Sequence, residues 1–96
     1  MSPTNKNKLK KLRKSLDKLD NSFIKLVKKR TNLVNEVLKL KDYKNQIIDK
    51  KRIKIILNRI KKKSIKNNID PKITNRIWKN MILSYIDYEK RNFKNK

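Results

Sequence analysis

The amino-acid sequence predicts an all-α protein with three helices, one long and two shorter. The 96 residues include no glycine and only two prolines, so the chain lacks the turn residues that separate strands in sheet proteins. Its apolar residues recur at spacings of three and four, which is typical of one helical face. The longest apolar run, Met81 to Leu83, is far shorter than the ~20 residues of a membrane span, and the N-terminus has no apolar signal core. We therefore expect a cytoplasmic protein with no membrane partner.

The first helix is predicted from about Asn7 to about Lys41, after a disordered N-terminal tail over residues 1–7. Its apolar seam alternates spacings of three and four, the heptad pattern of coiled-coil packing. A helix of roughly 35 residues is ~50 Å long, too long for a globular monomer of this size, so we expect it to pack along a second copy of the chain. The seam consists of Leu9, Leu12, Leu16, Leu19, Phe23, Leu26, Arg30, Leu33, Val37 and Leu40.

The second helix follows a segment over residues 42–48 that breaks the periodicity and is predicted to be a loop. Asp49 is a suitable N-cap for this helix, and Asn67 and Asn68 mark its end. Its predicted apolar positions are Ile53, Ile56, Leu57 and Ile60.

The third helix has the clearest start in the chain. Asp70 followed by Pro71 is an N-cap with proline at the first helical position. The helix is predicted to continue to about Phe93, and no internal repeat or second domain is evident. Its apolar positions are Ile73, Ile77, Met81, Tyr85 and Tyr88.

A formal charge of +22, from 30 basic and 8 acidic residues, is compatible with two interpretations. It could reflect binding to nucleic acid or to an anionic membrane. It could also reflect AT-rich codons, which favour Lys, Asn and Ile, on solvated helix faces. In a chain so rich in lysine, each arginine is informative, because its planar guanidinium group can bind an anion with two parallel hydrogen bonds and the lysine ammonium cannot. The arginines are Arg13, Arg30, Arg52, Arg59, Arg76 and Arg91.

Arg30 occupies a position in the seam where the pattern predicts an apolar residue. Burying an unpaired guanidinium costs several kcal/mol, so Arg30 needs an anionic partner or a ligand. One alternative is an ion pair with Asp17, Asp20 or Glu36 of a neighbouring helix, which would set the register. The other is an anionic ligand, since Lys41 follows about 16 Å along the helix and only about 20° around it.

Two further arginines also stand at unusual positions. Arg13 lies about 25 Å from Arg30 along the same helix, so only an antiparallel second copy could bring it to the same place. Arg52 is in the first turn of the second helix, where the helix dipole favours acidic residues. The chain has no His, Cys or Gly, which excludes standard triads, thiolates, soft metal sites and glycine-rich phosphate loops. A cationic pocket alone suits reactions that need shape and charge placement.

Three stretches cover nearly the whole chain: LKKLRKSLDKLDNSFIKLVKKRTNLVNEVLKLK, IIDKKRIKIIL and IDPKITNRIWKNMILSYIDYE. They contain, in this order, an LR, an LD, a further R, a K ending the long helix, a D and an R opening the second, and a Glu on the third. In this order and spacing they resemble the all-helical (AroQ-type) chorismate mutase family. The resemblance implies a single chorismate mutase-like domain over residues 8–96 and an intertwined homodimer.

The implied reaction is the Claisen rearrangement of chorismate to prephenate in Phe and Tyr biosynthesis. It is pericyclic, so it needs no nucleophile, cofactor or metal, and the protein holds the reactive conformer and stabilises charge on the ether oxygen. Lys41 and Glu89 match the family residues that contact this oxygen, and Arg30 matches one that grips a carboxylate. The substrate-binding set implied by the resemblance is Arg13 from the partner subunit, Arg30, Lys41, Asp49, Arg52, Tyr85 and Glu89.

Two positions depart from the mutase pattern. Ile53 stands where the family usually has a Glu that meets the ring hydroxyl, and Tyr85 stands where a small hydroxyl residue is common. The related isochorismate pyruvate lyases have an apolar and an aromatic residue there, so conversion of isochorismate to salicylate plus pyruvate is the alternative activity. A basic helical nucleic-acid-binding protein is a second alternative; under the enzyme hypothesis we expect no specific nucleic acid partner.

Overall fold

The computed structural model describes residues 1–95, which are helical without any strand. Helix α1 runs over Pro3–Lys39, α2 over Lys50–Lys66 and α3 over Pro71–Asn92, with a single 3₁₀ turn at Lys44–Gln46 between α1 and α2. The prediction of one long and two shorter helices is confirmed. None of these helices is both long enough and apolar enough to cross a membrane.

The chain divides into two compact units, Met1–Leu33 and Val34–Lys96. The first unit is one helical stretch that contains most of α1. Most of its seam side chains are exposed, with Leu12, Leu19 and Leu26 each about three-fifths accessible to solvent (63, 62 and 60 %), whereas Leu9 and Arg30 are half-buried. The second unit contains the end of α1, the 3₁₀ turn, α2 and α3, and here most of the burial occurs. The single domain over residues 8–96 stays a prediction.

Helix α1 begins at Pro3, so the predicted start near Asn7 is wrong by four residues. The Ser2 hydroxyl accepts a hydrogen bond from the Asn5 amide at 3.1 Å, as an N-cap does. Pro3 suits the first helical position because its missing N–H would have no partner there. The apolar periodicity starts only at Leu9, which is why it does not reveal these capping residues. Disorder of residues 1–7 stays a prediction.

The other end of α1 is also shorter than predicted, because the helix ends at Lys39 rather than at Lys41. The amides of Leu40 and Lys41 bond to the carbonyls of Val37 and Leu38, at 3.0 and 3.1 Å. These bonds span three residues instead of four and tighten the last turn, as is common at helix ends. Lys41 therefore stands just beyond the helix.

Helices α2 and α3 are joined by a turn that uses asparagine where glycine is usual. Asn68 has φ of 56°, in the left-handed region that Asn tolerates better than most residues. The amide of Asn68 bonds to Ile65 O at 3.2 Å and that of Ile69 to Ser64 O at 2.9 Å, the pair of bonds of a Schellman motif. The Asp70 carboxylate then caps α3 through the Lys72 amide at 2.9 Å. The predicted ends of both helices here are confirmed.

Helices α2 and α3 are also linked by two buried hydroxyl groups, which we call the hydroxyl clasp. Ser64 Oγ and Thr74 Oγ1 lie 2.6 Å apart. Ser64 donates to the Ile60 carbonyl at 2.7 Å. The Thr74 hydroxyl has two acceptors in reach, Ser64 Oγ at 2.6 Å and the Pro71 carbonyl at 3.3 Å, and we assign its proton to the shorter contact. The predicted apolar residues of α2 are half-buried: Ile53, Ile56, Leu57 and Ile60.

Candidate active site

Lys41 and Glu89 meet in the structure although 48 residues separate them in the sequence. Lys41 Nζ donates to Glu89 Oε1 at 2.9 Å, and the two side chains are only 18 and 9 % exposed. Removing both charges from water has a desolvation cost that the mutual attraction offsets only in part, so such a pair is weak evidence of a stabilising role. The pair therefore marks a candidate functional site.

A second polar contact joins α1 to α3 beside this ion pair. Tyr88 Oη donates to Asn35 Oδ1 at 2.8 Å, and both side chains are half-buried. The Tyr88 ring also meets the ring of Tyr85 edge to face, with centroids 6.3 Å apart and an interplanar angle of 89°. Tyr85 lies one helical turn before Glu89, so one network connects Asn35 to two residues of the predicted site.

The sequence did not identify Asn35, and it placed Tyr88 only among the apolar positions of α3. The available signal was weak: a tyrosine on a buried face needs a partner for its hydroxyl, and the partner has to come from a neighbouring element. Which element supplies it depends on the packing of α3 against the end of α1.

The start of α2 places the predicted pair Asp49 and Arg52 together through the backbone. Asp49 Oδ1 accepts a hydrogen bond from the Arg52 amide at 2.9 Å, which caps the helix, while the Arg52 side chain is exposed. An open cleft of about 570 Å³ lies beside this cap. Its lining brings Lys41 and Asp49 to one cleft with two further lysines, so it is a basic environment. The lining residues are Lys41, Gln46, Ile48, Asp49, Lys50 and Lys51.

Gln46 holds the loop that follows Lys41, another contribution that sequence reasoning missed. Its Oε1 accepts hydrogen bonds from the amides of Asp42 and Tyr43, at 2.8 and 2.9 Å. These bonds fix the backbone next to Lys41 and close one side of the cleft. The signal was that Gln46 is the only glutamine in the chain, set in a segment otherwise predicted only as a loop.

Arg13 and Arg30 both belong to the first unit, Met1–Leu33. Arg13 is exposed and lines a shallow groove of about 420 Å³ along α1, whereas Arg30 is half-buried. Seventeen helical residues separate them, which corresponds to about 25 Å along the axis, so a single chain does not bring the two guanidinium groups together.

The chemistry available in the second unit is that of fixed cations with a nearby carboxyl group. Within residues 1–95, no group of three or more Asp, Glu, His or Cys side chains could hold a metal ion. Ammonium groups around a cleft bind carboxylates and stabilise negative charge that develops on an oxygen atom. A neutral carboxyl can also donate a hydrogen bond to such an oxygen.

Comparisons with known proteins agree with this chemistry. The family model described as chorismate mutase type II matches residues 12–90, a range that includes every predicted site residue from Arg13 to Glu89. The chain is also 34 % identical over 76 residues to a chorismate mutase of Methanocaldococcus jannaschii, a match that covers 78 % of this chain and 77 % of that protein. No solved structure matches the chain significantly. The resemblance noted in the sequence is thus confirmed, and this chain belongs to the chorismate mutase type II family.

Proposed function

We propose that this chain catalyses the rearrangement of chorismate to prephenate in sites that two copies of the chain build together. The observation that carries the proposal is the shielded contact of Lys41 with Glu89, 2.9 Å apart, beside a basic cleft. In this reaction the ether C–O bond breaks while a C–C bond forms in one cyclic step, so no group of the protein has to bond to the substrate. Family membership and the contact between these two residues support the same activity.

Lys41 and Glu89 are proposed to act on the ether oxygen, where negative charge develops as the C–O bond lengthens. The Lys41 ammonium donates to this oxygen and to a nearby carboxylate, while a protonated Glu89 donates to the oxygen's other lone pair. Their mutual hydrogen bond shows that both polar ends reach one point. Donors fixed there before the reaction stabilise the transition state more than the ground state.

Arginines are proposed to hold the two carboxylates of the substrate. Arg30, which is half-buried, can bind one carboxylate with both arms of its fork. Arg13 of a second copy and Arg52 supply the remaining positive charge, and Asp49 lies beside Arg52 at the start of α2. Guanidinium groups that converge without an anion repel one another, so a dianion bound between them relieves that repulsion.

A homodimer is the assembly that this proposal requires. The seam of α1 exposes large apolar side chains in an unbroken row from Leu12 to Leu26, and such a row usually marks an interaction surface. An antiparallel pairing of two α1 helices centred between Asn21 and Ser22 places Arg13 of one copy level with Arg30 of the other. The grouping of the two arginines at one site and the burial of the apolar seam therefore both favour this antiparallel dimer.

Tyr85 and Ile53 are proposed to face the ring of the substrate. Tyr85 is half-buried and lies one turn before Glu89 on α3, and Ile53 is half-buried in the first turns of α2. Neither side chain carries a charge, so the ring hydroxyl of chorismate meets no carboxylate at position 53. A role in Phe and Tyr biosynthesis, and a cytoplasmic location, belong to the same proposal.

The direct test is to incubate the purified protein with chorismate and, separately, with isochorismate. We expect prephenate from chorismate, measured by its conversion to phenylpyruvate in acid. Salicylate and pyruvate from isochorismate, with no prephenate from chorismate, would overturn the proposal in favour of the lyase activity.

A matched pair of variants links the activity to the site. Lys41→Ala should abolish prephenate formation, since it removes the donor to the ether oxygen. Lys39→Ala removes an exposed lysine two positions earlier, which pairs with Glu36 on the surface at 3.2 Å, and should retain full activity. Equal activity in both variants would contradict the assignment of Lys41.

A further inference from the structure

Within the second unit, Lys41, just beyond α1, makes an ionic contact with Glu89 of α3. Nearby in the chain, Asn35 of α1 accepts a neutral hydrogen bond from Tyr88 of α3. We propose that the Tyr88–Asn35 bond positions the active site, by holding α3 in place while substrate occupies Lys41. This inference rests on the proposed function, because it assigns Tyr88 as a positioning residue for that reaction.

The first step of the argument is that the ionic contact cannot do this work during turnover. Lys41 Nζ lies 2.9 Å from Glu89 Oε1. A substrate carboxylate and ether oxygen draw on the three protons of the same ammonium, and in the proposed reaction Glu89 is a neutral carboxyl that donates to the ether oxygen. The ionic attraction between Lys41 and Glu89 therefore weakens when substrate binds, and a contact that weakens at this moment cannot by itself keep Glu89 in place.

The second step is that the Tyr88–Asn35 bond has the properties that positioning requires. It is neutral, so an anionic substrate has no charge to compete for, and its 2.8 Å length is that of a well-formed hydrogen bond. Both side chains are half-buried, which limits competition from water. The bond can therefore stay closed through the catalytic cycle.

The third step is that a shift of Tyr88 would reach two residues of the proposed site. Glu89 directly follows Tyr88 in α3, so a shift of the Tyr88 backbone relative to α1 also moves Glu89. Tyr85 packs edge to face against the Tyr88 ring, at 6.3 Å between centroids. Anchoring Tyr88 to Asn35 therefore fixes both the carboxyl at the ether oxygen and the aromatic ring at the substrate.

Tyr88→Phe tests the inference, since it removes only the hydroxyl and leaves the ring against Tyr85. We expect kcat to fall roughly tenfold, as small misplacements of reacting groups do, with KM within about twofold of wild type. The inhibition constant of a bicyclic dicarboxylate ether shaped like the transition state should rise by a similar factor. Tyr43→Phe is the matched control, because Tyr43 is 69 % exposed and the substitution leaves its backbone bond to Gln46 in place.

The ratio of that inhibition constant to KM separates positioning from simple stability. Partial unfolding lowers the amount of active enzyme and therefore the apparent kcat. It changes neither KM nor the inhibition constant. A lower kcat with an unchanged ratio would therefore overturn the inference and leave the bond a structural role alone. Unchanged kcat and unchanged ratio would overturn it as well.

A double-mutant cycle with Asn35→Ala provides a second, independent readout. If the two side chains act through one bond, Asn35→Ala should lower kcat about as much as Tyr88→Phe, and the double variant should be no worse than either. Additive losses would show that the bond is not the shared element. The turnover of the wild-type protein is measured first. If the wild type forms no prephenate, both the proposed function and this role of Tyr88 are wrong. If the wild type is active and the variants are equally active, only this role is wrong.

Discussion

At the residue scale, Glu89 can assist at an ether oxygen only as a neutral carboxyl, because a carboxylate has no proton to donate. Glu89→Ala removes this donor, so its kcat should fall roughly 100-fold. Glu89→Gln keeps a hydrogen-bond donor at the same place and should retain most of the activity. The measurement is kcat of both variants beside that of the wild type.

Glu36→Gln is the control for this experiment. Glu36 is an exposed glutamate that pairs with Lys39 on the surface of α1, so the substitution makes the same change in charge away from the site. Its kcat should equal that of the wild type. A Glu89→Ala variant as active as the wild type would contradict the role assigned to Glu89.

Arg30 should not tolerate lysine, although the charge is retained. Binding a carboxylate with two parallel hydrogen bonds depends on the planar fork, so Arg30→Lys should lower kcat/KM by about 100-fold. Arg76→Lys, at an exposed position of α3, should have little effect. Equal tolerance at both positions would instead favour a protein that contacts phosphates through charge alone, the nucleic-acid-binding alternative.

The same scale shows what sequence could and could not predict about the site. Lys41 and Glu89 were each matched to family residues at the ether oxygen, and the structure brings the two side chains to 2.9 Å of each other. Asn35 and Gln46 were missed, since each acts by a hydrogen bond whose partner is set by the path of the backbone. An unremarkable amide side chain gives no periodicity or spacing signal before that path is known.

At the scale of elements, the hydroxyl clasp should make a measurable contribution to stability. Ser64→Ala removes the 2.6 Å partner of the buried Thr74 hydroxyl, which keeps a longer 3.3 Å bond to the Pro71 carbonyl, so the free energy of unfolding should fall by about 1 kcal/mol. Ser84→Ala removes a similar bond to the carbonyl four residues earlier, but on an exposed face, and should change stability little. Urea denaturation of both variants measures the difference, and equal midpoints would exclude a stabilising clasp.

Helix ends differed in how well the sequence predicted them, and the reason is physical. Asp49 and the Asp70–Pro71 pair are local signals, because each aspartate caps its helix by accepting a hydrogen bond from an amide only two or three residues later. Both caps form as expected. The start of α1 was missed because Ser2 and Pro3 precede the first apolar residue. The end of α1 was overestimated because apolar Leu40 continues the periodicity while its backbone has already tightened into a turn.

At the scale of the whole molecule, the exposed seam of α1 indicates that this chain needs a partner, and the proposed dimer gives it one. Leu12, Leu19 and Leu26 are each more than half exposed, so their burial should supply much of the free energy of association. Leu19→Lys introduces a charge at the middle of this row and should give a monomer without activity. Analytical ultracentrifugation measures the state, and an active monomer would contradict the shared site.

A mixture of two inactive variants tests whether Arg13 acts across the dimer. Arg13→Ala and Arg30→Ala should each lower activity severely. In a mixed dimer, one site combines Arg30 of the first chain with Arg13 of the second and is intact, while the other site lacks both. Random pairing makes half of the dimers mixed, so unfolding the two variants together and refolding them should restore about a quarter of wild-type activity. If Arg13 instead served its own chain, every site would lack one arginine, and the mixture would be no more active than the separate variants.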